Sequence, residues 1–271
     1  MSGRSYLPTW SPRARLFKLL AAAMTFVFLS SSAARTQSSM PTDTAQPGSS
    51  ITAWEPPVMD NQIMGHVLLD QIEGRTDGPD HQFRWDGQGW LGTDLNKLWF
   101  KSEGFVDHGR ATDGDTEALY DRPLPFLRYF DAQAGVRYDL DSNPGRTWGA
   151  VGIEGLAPYS FDFAPTFYFG DRGRVAGRLV GSYDLLITQR LILRPEIELN
   201  FYSKRDPGRA IGSGLSDLDT GLRLRYEISR KFAPYIGIAY NGKFGETAGL
   251  TRIEGGTVND LRLIFGTRLW Y

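Results

Sequence analysis

Asn259-Asp260-Leu261-Arg262-Leu263-Ile264-Phe265-Gly266-Thr267-Arg268-Leu269-Trp270-Tyr271 is the stretch that decides the fold. Its odd positions read Leu261, Leu263, Phe265, Thr267, Leu269 and Tyr271. Its even positions read Asp260, Arg262, Ile264, Gly266, Arg268 and Trp270. One face is almost wholly apolar and the other carries three charges. A period of two is the β-strand period, because successive side chains point to opposite faces. A strand of this kind, ending on an aromatic residue, is what a chain closing a barrel in the outer membrane is expected to use. Its last strand must pair with its first and leave no edge. A soluble β-sandwich is the alternative.

Composition bounds the choices around that strand. The 271 residues include no cysteine, which excludes a disulfide framework, a Cys-type zinc site and a thiol nucleophile. Charged residues make up 23% and mean hydropathy is -0.32, and no apolar run approaches the roughly 18 residues of a membrane helix. Aromatic residues make up 13% and there are 31 glycines, which serve interfacial girdles and turns.

Residues 1–34 read as a secretory signal. Arg4, Arg13, Arg15 and Lys18 precede an apolar core from Leu19 to Leu29, and Ser32-Ala33-Ala34 supplies small residues for cleavage. A membrane anchor would need a longer apolar run. Removing residues 1–34 leaves 26 basic and 31 acidic residues, a net charge of -5, which gives no sign of a nucleic-acid partner. Residues 35–60 are rich in Ser, Thr, Pro and Gln and are expected to be a disordered periplasmic tail. The barrel is then residues 61–271.

Alternation recurs through that region, and the fold class it predicts is all-β, a transmembrane antiparallel β-barrel of about twelve strands. The expected strands are Met64–Glu73, His81–Leu91, Lys97–Asp107, a short Thr116–Asp121, Arg128–Asp139, Thr147–Leu156, Ser160–Phe169, Arg174–Ile187, Leu191–Ser203, Leu218–Ser229, Phe232–Lys243 and the terminal strand. Most have the length, about ten residues, that a tilted strand needs to cross a bilayer. The facing of the first is ambiguous, because Val67, Leu68 and Leu69 are consecutive. With both ends in the periplasm, even-numbered connections should be short and odd-numbered ones longer. Gly92–Asn96, Ala157–Pro158, Thr188–Arg190 and Arg230–Lys231 fit the first rule, and Lys204–Asp217 and Phe244–Val258 fit the second. Asp171–Gly173 does not.

If the apolar face meets lipid, the charged face lines the interior. Arg178, Asp184, Arg194, Glu196, Glu198, Arg223, Arg225 and Glu227 then come together on neighbouring strands, where unlike charges pair across the ladder. In so narrow a barrel they are read first as a salt-bridged filling and second as a polar path for ions.

Several stretches resemble the copper-resistance protein B family. They are His66-Val67-Leu68-Leu69-Asp70-Gln71-Ile72-Glu73-Gly74-Arg75, Trp90-Leu91-Gly92-Thr93-Asp94, Leu98-Trp99-Phe100-Lys101-Ser102-Glu103-Gly104, Gln133 to Asp139, Thr188 to Leu193, Gly212 to Leu218, Gly221 to Ile228, and Phe232 to Tyr235. The resemblance runs in order from about Met59 to Tyr271. It implies an outer-membrane barrel involved in copper tolerance, exporting or sequestering copper at the cell envelope. The partners it implies are outer-membrane lipid, copper ions and a periplasmic copper protein. Members of the family often carry a Met- and His-rich N-terminal stretch. Here residues 35–65 hold only Met40, Met59 and Met64, and no histidine precedes His66, so tight copper storage by the tail is not expected.

Copper favours thioether and imidazole ligands. Met59, Met64 and His66 sit where the chain enters the barrel, and His66, Asp70 and Ile72 are expected to share a strand face. These residues, with Asp70, are the candidate copper contacts, set against the ordinary reading of linker, packing and satisfied polar groups. His81 and His108 are expected in or beside outer loops. Asp113-Gly114-Asp115 lacks the rest of a calcium loop and reads as a turn. Gly212-Ser213-Gly214 lacks a following helix and reads as a flexible loop. No Ser and His stand in a recognisable nucleophile pattern, so an outer-membrane phospholipase is a weaker reading and the chain is expected not to be an enzyme. A general diffusion channel is the third class, and it would call for fewer inward charges.

Overall fold

The computed structural model describes residues 62–107, 109–140 and 145–271. The expected signal, the tail, Met59 and His108 lie outside the described residues. Within them the chain is an all-antiparallel sheet in sequence order. Its strands are β1 (Met64–Thr76), β2 (His81–Gly92), β3 (Lys97–Asp107), β4 (Arg110–Pro123), β5 (Phe130–Asp139), β6 (Arg146–Ala157) and β7 (Phe161–Phe169). There follow β8 (Val175–Tyr183), β9 (Leu185–Leu186), β10 (Leu191–Tyr202), β11 (Gly214–Tyr226), β12 (Phe232–Lys243) and β13 (Asn259–Trp270). Each strand pairs with its neighbours in sequence, β8 and β9 lie end to end against β10, and β13 pairs with β1. The result is a closed ring of twelve wall positions.

Closure is made by the quoted stretch. Leu269 lies opposite Leu69, and Phe265 lies opposite Gly74. At the far end Val67 and Tyr271 exchange both backbone hydrogen bonds, at 2.9 and 2.8 Å. With β13 paired to β1 and β10 to β11 the sheet closes on itself, and among the described strands only the two-residue β9 has a free edge; closure is the condition for a sheet to cross a bilayer.

Burial then shows which face points where. Leu261, Leu263 and Phe265 are 63%, 61% and 59% exposed, whereas Ile264 between them is 0% exposed. Ile236, Ile238, Val151 and Phe167 are likewise exposed, and Glu73, Arg84, Asp115 and Arg223 are buried. Apolar side chains outside and charges inside invert the pattern of a soluble protein, and they make the outer surface one for hydrocarbon. No helix among the described residues is long and apolar enough to cross a membrane, so the strands do the crossing.

Four features differ from the sequence expectation. First, β1 carries a bulge. Its register against β2 shifts between Leu69 and Gln71. Leu68 faces the lumen before the shift, and Gln71, Glu73 and Arg75 face it afterwards. The bulged Asp70 points inward too, since it pairs with Arg194 and Arg268. This resolves the ambiguity of Val67-Leu68-Leu69. It also corrects the expected face, because Ile72 falls on the opposite side from the inward Glu73.

Second, β4 is a 14-residue strand rather than a short one. Asp113-Gly114-Asp115 is not a turn but part of it, at a register shift opposite Glu103 to Phe105. Asp113 takes φ 50° and Gly104 takes φ 155°. A Cβ on Gly104 would stand 2.6 Å from both Gly114 and the Trp85 ring, so glycine is needed for this approach. Third, the eighth expected strand is broken at Asp184 into β8 and β9. Fourth, Gly212-Ser213-Gly214 is not a free loop. Gly214 opens β11, and the stretch is pinned to a helix, α1 (Gly245–Ile253), that the alternation did not predict. The Gly212 N–H donates to Thr247 Oγ1 at 2.8 Å, and Ser216 and Thr247 hydroxyls lie 3.0 Å apart.

Candidate functional site

The lumen is the chemical centre, and it is crossed by ion pairs between strands that are not neighbours. Glu73 on β1 is fully buried. It receives Arg75 Nε at 2.7 Å, Arg223 Nε from β11 at 3.1 Å and the Tyr235 hydroxyl from β12 at 2.9 Å. Arg75 reaches on to Asp219 at 2.7 Å. Arg84 on β2 lies 3.4 Å from Glu198 and 3.4 Å from Asp219. Arg178 on β8 meets Glu103 on β3 and lies 2.7 Å from Asp115 on β4. The Tyr168 hydroxyl on β7 donates to Glu117 on β4 at 2.6 Å. Such contacts stitch opposite walls together. Glu73, Asp115, Glu198 and Asp219 are each met by a guanidinium and Glu117 by a phenol, which is what their loss of hydration demands.

The eight residues picked out by alternation are all placed in this interior. Arg194 lies within 3.5–3.7 Å of Asp70, Asp184 and Glu196. Arg223 adds Glu196 at 3.5 Å, and Arg225 meets Asp184 at 2.9 Å and Glu227 at 3.8 Å. Arg178 lies 3.4 Å from Glu198. Alternation on strands eight to ten did not supply the partners from β1 to β5, namely Glu73, Arg75, Arg84, Glu103, Asp115, Arg137 and Asp139. Those on β2, β3 and β5 were legible as inward positions. Glu73 and Arg75 were hidden by the bulge, and Asp115 by the turn reading.

The lumen differs along its length. Towards the end that carries the longer loops and α1 it holds a cavity of about 150 Å³, lined by Glu103, Asp113, Glu198, Asp217 and Asp219 together with Arg84, Arg137, Arg178 and Arg209. Towards the end where β1 begins and β13 finishes, a gap of about 10 Å³ lies between Asp70, Glu196, Arg194, Arg223, Arg225 and Arg268. Outside the wall, at the loop end, Glu246 on α1 accepts the Ser213 backbone N–H at 3.1 Å and its hydroxyl at 3.0 Å. These hydrogen bonds, the backbone one first, hold its carboxyl below the usual range.

The candidate copper contacts part company here. Asp70 is ion-paired with Arg268, whose Nε lies 2.6 Å away, and lies 3.5 Å from Arg194. It is therefore committed to two guanidiniums, and four residues of strand, roughly 13 Å, separate it from His66. The expected His66–Asp70 pair is not formed. Met64 and His66 stay together as inward-facing neighbours on the regular part of β1, opposite Gly92 and Trp90. The His66 ring lies 5.7 Å from that of Trp270 and 6.5 Å from that of Trp90, and it hydrogen-bonds to the backbone of Tyr271. No group of three or more metal-ligating His, Cys, Asp or Glu side chains occurs among the described residues. His81 opens β2 as an exposed residue at the loop end.

A closed barrel with an apolar exterior and a charged, ion-paired lumen defines an integral outer-membrane protein. The family model for the copper resistance protein B precursor matches residues 63–271, and the chain belongs to that family. Copper resistance protein B of Escherichia coli is 40% identical over 214 residues, which cover 79% of this chain and 72% of the relative. The copper resistance protein B homolog of Pseudomonas syringae pv. tomato (strain ATCC BAA-871 / DC3000) gives the same figures. Solved structures that align include the KdgM porin (TM-score 0.44, 13% identity, 76% of this chain and 98% of the other) and the NanC porin (TM-score 0.47, 13% identity, 76% and 99%). The chain is thus a copper-resistance protein of the outer membrane.

Proposed function

We propose that the barrel supports copper tolerance by binding copper ions and passing them along its lumen, without enzymatic chemistry. In this reading the mouth formed by the start of β1 and the end of β13 opens to the periplasm. There a periplasmic copper protein could exchange ions with the terminal mouth. The observation that supports this reading best is a lumen built from charged side chains inside a member of the copper-resistance family. A general diffusion channel is the weaker reading, because ion pairs such as Arg178–Asp115 and Arg75–Asp219 cross the space that free solute would need. Copper here is cargo, and both of its oxidation states are open to this reading.

Deleting the gene should sensitise cells to copper and leave tolerance of unrelated solutes unchanged, and restoring the gene should restore growth. Equal sensitivity to many solutes would favour the diffusion channel. Lipid hydrolysis by the purified, folded protein would overturn the non-enzymatic reading.

A further inference from the structure

The terminal mouth of the lumen is chemically unlike the rest. Along β13, β1 and β2 its inward side chains are indole, thioether and imidazole, and the carboxylates nearby on β4 and β5, Asp121 and Asp131, are taken by Lys97. Trp90 and Trp99 lie with ring centroids 6.4 Å apart, and His66 stands between Trp90 and Trp270. These indoles already take cations, since Lys97 Nζ lies 5.7 Å from the Trp90 ring and Lys101 Nζ lies 5.4 Å from that of Trp99. Met64 is half-exposed at the rim, two residues before His66 on the same face.

The hydrogen bond from His66 to the Tyr271 backbone engages one ring nitrogen as donor. In the neutral ring the second nitrogen then keeps its lone pair, which is how a protein fixes the tautomer of a metal-binding histidine. Asp70, the nearest inward carboxylate along β1, is held by Arg268 and Arg194. What remains for an ion is a thioether, an imidazole and the face of an indole. Those donors suit a soft monovalent cation and offer little to a hard divalent one. We propose that Met64, His66 and Trp270 form a receiving site for Cu(I) at the terminal mouth. It deepens the copper reading above, and rests on it, by naming the oxidation state and the place of entry.

The test uses the full-length folded protein in detergent, titrated with Ag(I) as a redox-inert stand-in, with Cu(I) under reducing anaerobic conditions against a competing chelator, and with Cu(II). Tryptophan emission is the second readout. Monovalent metal is expected to quench emission, and His66→Gln to weaken apparent affinity by about tenfold or more. Trp270→Phe should keep most of the affinity and lose much of the quench. Retained affinity and quench in His66→Gln, or tighter binding of Cu(II) than Cu(I) in a His66-dependent manner, would overturn the site. Should His66→Gln fail to fold, Met64→Leu at the exposed rim carries the same test, with a smaller loss of affinity expected and an unchanged titration counting against the site. A protein that protects cells from copper yet shows no His66-dependent response overturns this site alone. One that shows the response yet gives no copper tolerance overturns the functional reading alone.

Discussion

The two halves of the lumen use the same pairs of guanidinium and carboxylate to different ends. In the loop-side half, the acids Glu103, Asp113, Glu198, Asp217 and Asp219 share a cavity of about 150 Å³ with their arginines. In the terminal-side half, the guanidiniums of Arg194, Arg223, Arg225 and Arg268 interlock with Asp70, Glu73, Asp184, Glu196 and Glu227 and leave a gap of about 10 Å³ among them. That smaller space suits about one water. The wall is the same barrel throughout, so the difference lies in how completely the paired side chains of each half fill it. The loop-side half can admit hydrated ions. The terminal-side half is an ion-paired constriction, and a cation crossing it must displace or bypass an arginine.

That contrast can be broken by cutting one pair in each half. Glu73→Ala should have the largest effect. It removes the buried carboxylate that accepts from Arg75, Arg223 and Tyr235 together, leaving Arg75 only the carboxylate of Asp219 and Arg223 only that of Glu196, so the free energy of unfolding in urea should fall by about 3–5 kcal/mol. Arg178→Ala at the cavity wall should cost less, about 1–3 kcal/mol, because water in the cavity can rehydrate Glu103 while Asp115 keeps Arg137 at 3.0 Å. If the two substitutions prove equal, the difference in hydration between the halves is wrong.

A smaller effect is expected where α1 meets the loop-side half. Thr247→Ala removes the buried acceptor of the Gly212 N–H, and about 1 kcal/mol should be lost. Protease cleavage within Phe244–Val258 should quicken if α1 is held by this contact. The smallest effect is one of pH. Hydrogen bonds from Ser213 hold the Glu246 carboxyl below its ordinary range. Its contribution is therefore complete above that ordinary range and lost as pH falls through the lower folded value. Hydrogen exchange at Ser213, corrected for its intrinsic rate, should rise in acid in the natural protein. It should show no such transition in Glu246→Gln.

Much of this was legible in the chain itself. The thirteen residues from Asn259 give the strand period, the apolar outer face and the charged inner one, because period-two patterning survives wherever a sheet has two different solvents. The inward charges of strands eight to ten could be named for the same reason. What could not be read is local departure from the period. The bulge at Asp70 moves Ile72 to the other face, the bulge at Asp113 turns an apparent turn into strand, and the break at Asp184 leaves no mark on the alternation. The partners across the lumen were also invisible, since Glu73 and Arg223 are 150 residues apart and meet only when the sheet closes. The commitment of Asp70 to two arginines, which removes it from the copper candidates, is of that kind.

Conductance of the purified protein in a planar bilayer, recorded before and after adding copper, tests the account most directly. A lumen filled by ion pairs and narrowed at its terminal side should pass little current at rest. Copper should change that current, while magnesium and calcium at the same concentration should not. A large, steady conductance indifferent to copper would contradict both the filled lumen and its copper cargo.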